Sequence, residues 1–108
     1  MGQEVYMELV GSILDIMGER IVRIVLYGSA ARGTSSEDSD IDIALLVNGS
    51  MDSEMEDKLS DVIVDMNLKY DKVFSVIDIE FEKFRKWGNV MPFYQNINRE
   101  GIVLWEAA

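Results

Sequence analysis

Apolar residues recur three and four apart from about Gln3 to Met17, at Val5, Leu9, Val10, Ile13, Leu14 and Met17. That spacing predicts a helix, with Gly18 as its stop. Ile21-Val22-Arg23-Ile24-Val25-Leu26-Tyr27 predicts a strand running straight into Gly28-Ser29. Downstream, Ile41, Ile43, Leu45 and Val47 alternate with Asp40, Asp42, Ala44 and Leu46, the period-two pattern of a second strand. Asn48-Gly49-Ser50 reads as a turn, and Ser53-Glu54-Met55-Glu56 as a capping box. The helix it opens carries Met55, Leu59, Val62, Ile63, Met66 and Tyr70 on one face. A third strand is expected from Lys72 to Ile79, a short helical segment from Glu80 to Trp87, a last helix from Phe93 to Glu100 and a last strand from Ile102 to Trp105. Strand, helix, strand connections predict an α/β (α+β) fold, a mixed sheet of three to four strands with helices packed against it. With 108 residues, 48% of them hydrophobic, no internal repeat and a single proline, Pro92, residues 1–108 read as one domain with a modest core.

The second strand carries the chemistry. Alternate residues of a strand share a face, so Asp40 and Asp42 stand together while Ile41 and Ile43 line the other side. At roughly 4 Å and an effective dielectric of about 20, two such carboxylates repel by about 4 kcal/mol, which a proton, a basic partner or a cation must relieve. No basic residue adjoins them in sequence. Hard divalent cations take a few carboxylate oxygens together with water and phosphate oxygens, so the pair is a candidate platform for a metal and a nucleotide. Upstream, Gly28 allows backbone geometry closed to other residues, and Ser29 is placed to cap a short helical turn, about Ala30 to Arg32, that Gly33 ends. Spare amides and a serine hydroxyl at such a start suit the β- and γ-phosphates, with Arg32 as a charge-assisted contact.

The stretch Gly28-Ser29, ten residues, then Asp40-Ile41-Asp42 resembles the signature of the minimal nucleotidyltransferase (MNT) family within the DNA polymerase β-like nucleotidyltransferase superfamily. The likeness extends to the order of elements and to the tail Phe93-Tyr94-Gln95-Asn96-Ile97-Asn98-Arg99-Glu100-Gly101-Ile102. It implies the nucleotidyltransferase sheet and transfer of AMP from ATP to a hydroxyl, with pyrophosphate released. It also implies two Mg²⁺ ions: one on Asp40 and Asp42 to activate the acceptor oxygen and meet the α-phosphate, one to neutralise the leaving pyrophosphate. Gly28, Ser29 and Arg32 would hold the triphosphate.

Relatives commonly carry a third acid on the next strand, in a Val-Asp-Leu-Val pattern. Aligned by its apolar residues, Phe74-Ser75-Val76-Ile77 puts Ser75 at that place, and Asp78 and Glu80 lie an odd number of residues away, on the other face of a regular strand. A bulge or a one-residue shift brings Asp78 in, and Asp78 is the candidate third catalytic acid beside Asp40 and Asp42. Glu37 and Asp38 read as solvent-facing loop acids, and Arg32 divides between a phosphate contact and a surface salt bridge.

Charge and composition limit the partners. With 20 acidic and 10 basic residues, net −10, the surface is expected to repel nucleic acid, and no basic patch interleaved with aromatics stands out. Without cysteine or histidine the chain has no disulfide, thiolate or imidazole zinc ligand, or histidine base, so any base is a carboxylate. No apolar run of membrane-spanning length and no leader pattern is seen, and a cytoplasmic location is expected. A bare catalytic core points to an acceptor on another protein. The MNT likeness implies a HEPN-domain toxin, silenced by AMP on a tyrosine or other hydroxyl. The alternative is a nucleotide-binding module that neutralises its partner by contact alone. A third reading, a small-molecule nucleotidyltransferase, fits a chain this short only as a dimer, and the sequence leaves homo-oligomers open. Phe81, Phe84, Trp87, Phe93 and Tyr94 read mainly as core, with Phe93-Tyr94 near Pro92 the first choice for a docking surface.

Overall fold

The computed structural model describes residues 3–33 and 40–108. Its elements are α1 (Gln3–Met17), a 3₁₀ turn (Gly18–Arg20), β1 (Ile21–Tyr27), α2 (Gly28–Arg32), β2 (Ile41–Val47), α3 (Ser53–Tyr70), β3 (Phe74–Glu80), α4 (Phe81–Trp87), α5 (Pro92–Glu100) and β4 (Ile102–Glu106). The strands form one mixed sheet in the order β3-β2-β1-β4. β2 and β3 are parallel, joined by the crossover helix α3, and β1 is antiparallel to both β2 and β4. The mixed sheet with helices against it is therefore as the periodicity predicts, with four strands.

Both faces of the sheet are covered. Val5, Leu9, Ile13 and Met17 of α1 and Leu59 and Met66 of α3 pack on Ile24, Leu26, Ile41, Ile43, Leu45 and Phe74. Phe84 of α4 and Ile97 of α5 pack on the other face, against Val25, Ala44, Leu46 and Ile79. β2 is thus central and buried on both sides from Ile43 to Val47, which is why Ala44 and Leu46 are as apolar as their odd-numbered neighbours. Each fully buried Leu or Ile contributes about 1.5–3 kcal/mol relative to exposure. A register shift between Ile21 and Arg23 lets Ile21 and Ile24 face the same side although they are three apart. Away from the sheet, Glu8 of α1 accepts hydrogen bonds from Lys69 Nζ and the Tyr70 hydroxyl of α3, both at 2.8 Å.

Several element bounds shift by a residue or two, β3 beginning at Phe74 rather than Lys72, and two of the shifts change a cap. Asp52, not Ser53, caps α3: its carboxylate accepts from the Met55 amide at 2.8 Å, and Ser53 is the first helical residue. α2 begins at Gly28 rather than Ala30, so Ser29 lies inside the turn and no side chain caps it. Glu37 and Asp38 lie outside the described residues. Among the described residues, no helix is long and apolar enough to cross a membrane.

Candidate active site

The site forms where β1 ends and β2 begins. Tyr27 opposes Asp42 across the antiparallel ladder, so Gly28, one residue further on, turns the chain beside the Asp42 side chain. Gly28 has φ +72°, and a Cβ there would overlap Asp42 Oδ2 and stand 3.3 Å from its Cγ. Only glycine meets both demands. α2 then makes a little over one turn and stops at Gly33, which closes it in the left-handed conformation at φ +74°.

Asp42 is the one residue of β2 that is not fully buried, and Asp40, immediately before the strand, is exposed. Partial burial pushes the Asp42 carboxyl above the usual carboxylate range; the Asp40 charge pushes it the same way, and the Arg32 guanidinium acts against both. The two aspartates are therefore brought together, as the strand periodicity predicts, and they remain short of positive charge. That need suits Mg²⁺, which binds through one or two carboxylates and completes its shell with water and phosphate oxygens. Among the described residues, no group of three or more acidic side chains stands together. The donor set thus matches a metal shared with a substrate better than a cage built by protein alone.

Asp78 is not brought to this pair. In the parallel ladder Asp42 is in register with Ser75, and Asp78 with Leu45. Residues in register share a face, so Ser75 lies on the Asp42 side and Asp78 on the opposite, α1/α3 side, at the exposed edge strand. Neither a bulge nor a shift interrupts β3. Glu80, paired with Val47, shares the face of Asp78. Arg32 reaches the Asp42 field while its Nη1 donates to Glu100 Oε2 at 3.1 Å, joining α2 to the end of α5.

Two neighbours of the site, Tyr27 and Glu100, carry no role in the expectations from sequence. Tyr27 lies beside Asp42, and burial, followed by the Asp42 charge, pushes its hydroxyl up. Its ring meets Phe93 edge-on at 5.6 Å, and the aromatic contacts continue from Phe93 to Tyr94 at 6.0 Å and from Tyr94 to Phe84 at 5.5 Å. Glu100 is the second, through Arg32. The residue preceding Gly28 and an acid in the matched tail were the available signals; pairing across 68 positions is not a local pattern.

Residues 12–108 match the family described as Polymerase beta, Nucleotidyltransferase. A relative in Methanocaldococcus jannaschii, named "Putative protein adenylyltransferase MJ0604", is 38% identical over 98 residues, 91% of this chain and 92% of that protein. Among solved structures, a crystal structure of a toxin–antitoxin with AMP-PNP has TM-score 0.64 at 20% identity, covering 99% of this chain and 75% of that one. The tri-AMPylated Shewanella oneidensis HEPN toxin in complex with MNT antitoxin has TM-score 0.58 at 18% identity, covering 98% of this chain and 74% of that one. These structural likenesses are likenesses of fold.

Proposed function

The chain belongs to the polymerase beta nucleotidyltransferase family, and on that premise we propose that it is a minimal nucleotidyltransferase that transfers AMP from ATP to a tyrosine hydroxyl of a partner HEPN-domain toxin, acting as the antitoxin. The observation that carries this reading is Asp42 seated against Gly28, with the Asp40 charge beside it and α2 leaving from the same point. Chain 1–108 acts as one catalytic domain, in the cytoplasm.

Gly28 and Ser29, at the start of α2, hold the β- and γ-phosphates, and Arg32 adds a charge-assisted contact once Glu100 releases it. Asp40 and Asp42 would hold Mg²⁺, which when bound would supply charge neutralisation at the phosphates and lower the pKa of the acceptor hydroxyl. As the acceptor oxygen forms its bond to the α-phosphorus and the bond to pyrophosphate breaks, the hydroxyl proton passes to the Asp42 carboxylate, which Gly28 keeps in place. Catalysis here is alignment and charge stabilisation. With Asp78 on the other face, Asp40 and Asp42 act without it.

One observation favours a second reading. Ser75 stands in register with Asp42, where an aspartate would complete a carboxylate triad, and a chain lacking that acid can silence its partner by contact alone. The two separate on incubation of the chain, Mg²⁺ and a co-expressed HEPN protein with labelled ATP. Transfer predicts that label on the α-phosphate passes to the HEPN protein and label on the γ-phosphate does not; absence of both labels from a stable complex contradicts it.

A further inference from the structure

The acidic balance of the chain is unevenly distributed. Residues 81–100 carry Lys83, Arg85, Lys86 and Arg99 against only Glu82 and Glu100, in a chain of 10 basic and 20 acidic residues. Against the expectation that no basic patch is interleaved with aromatics, this short basic run has Phe84 and Trp87 among its charges, and Lys83, Arg85 and Lys86 lie on the surface. Lys83, Arg85, Lys86 and Trp87 line an open concavity of about 540 Å³ on α4 together with Glu82, whose Oε2 stands 3.9 Å from Arg85 Nη2, so Lys83 and Lys86 carry its unpaired charge; Lys86 Nζ is 5.2 Å from the centre of the Trp87 ring.

The concavity continues into apolar surface. The Trp87 carbonyl accepts from the amides of both Val90, at 3.0 Å, and Met91, at 2.9 Å, so the α4–α5 connection is a tight turn. Trp87, Val90, Met91 and Phe93 are 42%, 65%, 44% and 41% exposed on and beside it. Four large apolar side chains within seven residues, edged by cations, have the composition of an interaction surface rather than of solvated helix. Phe93 then touches Tyr27, the ladder partner of Asp42, so one ring separates this surface from the candidate active site.

We propose that the α4–α5 turn docks the acceptor: an acidic protein segment with apolar side chains, whose carboxylates meet Lys83, Arg85 and Lys86 while its hydroxyl reaches Asp42 past Phe93 and Tyr27. The proposal rests on the transfer reading above for the fate of that hydroxyl and on charge complementarity for the binding. Val90 and Met91 favour protein over nucleic acid, whose bases would call for aromatic platforms along a longer basic groove.

Fluorescence anisotropy with labelled poly(Glu,Tyr), an acidic copolymer bearing tyrosine hydroxyls, tests the docking surface without ATP. The wild type binds it. The double variant Lys83→Glu, Lys86→Glu weakens binding by roughly tenfold or more, as paired losses at an interface rim do, and Met91→Asp weakens it too. Lys58→Glu with Lys72→Glu, which changes net charge equally, leaves binding unchanged. Failure of the wild type to bind, equal loss in both double variants, or tighter binding of a short single-stranded RNA that displaces the copolymer would each overturn the proposal. Copolymer binding with no AMP transferred to a HEPN partner would count against the transfer reading and leave the docking surface standing.

Discussion

The carboxylate of Asp42 lies against the α-carbon of Gly28, close enough that a methyl group on that carbon would overlap Oδ2. The turn after β1 and the acid on β2 therefore fix one another. Gly28→Ala adds a Cβ at φ +72° as well as the overlap, and is expected to cost about 1–3 kcal/mol of stability. It also displaces Asp42, which should lower turnover roughly 100-fold. Thermal melts and pyrophosphate release measure the two effects; a variant with wild-type turnover would show that Gly28 does not position Asp42.

Asp42→Asn separates stability from activity. The folded state holds the Asp42 carboxyl above its unfolded value, so what this group contributes to stability is fully present below the unfolded pKa and is lost as pH rises through the folded pKa. Removing the charge should thus raise Tm at pH 7, by about 3 °C on the scale of half a kcal/mol in a domain this size. The gain should shrink as pH falls through the carboxylate range, and transfer should be lost at every pH. An Asp42→Asn variant less stable than wild type at neutral pH would contradict the electrostatic account.

Arg32 and Glu100 make an exposed pair, so Glu100→Gln should change stability by less than about 0.5 kcal/mol. It should nevertheless lower the KM for ATP roughly two- to fivefold, since the guanidinium no longer has to leave a carboxylate. Arg32→Ala should raise that KM roughly tenfold or more, the scale of a charge-assisted hydrogen bond. Equal ATP affinity in all three proteins would confine Arg32 to a surface salt bridge.

Ser75→Asp puts a carboxylate in register with Asp42 on the same face, whereas Asp78→Asn changes a residue on the other face. With Mg²⁺ and ATP, Ser75→Asp should raise the rate of transfer roughly tenfold or more if a positioned base is what the site lacks. Asp78→Asn should leave it unchanged. A loss of activity in the Asp78 variant would place that acid in the reaction.

Elements with a strong period were legible from sequence. The 15 residues of α1 and the alternation of β2 repeat their apolar positions often enough that no neighbour is needed to read them. Cap positions were less so, because Asp52 and Ser53 are both good caps and the loop geometry chooses between them. The Asp40–Asp42 pair follows from the period of a single strand. The bulge or shift expected to bring Asp78 in is absent: the ladder between β2 and β3 is uninterrupted, so Ser75, which the apolar pattern of Phe74 to Ile77 aligned there, stands opposite Asp42 and Asp78 lies on the other face. Arg32–Glu100 and Tyr27–Phe93 join distant segments through helix packing, and no local pattern encodes them.

The most direct test is the intact mass of a HEPN partner purified from cells that co-express it with the wild-type chain or with Asp42→Asn. Transfer predicts one or more added AMP units in the first case and none in the second, with the added mass on tyrosine. An unmodified partner that is silenced equally well by both proteins would contradict transfer and leave contact as the means of control.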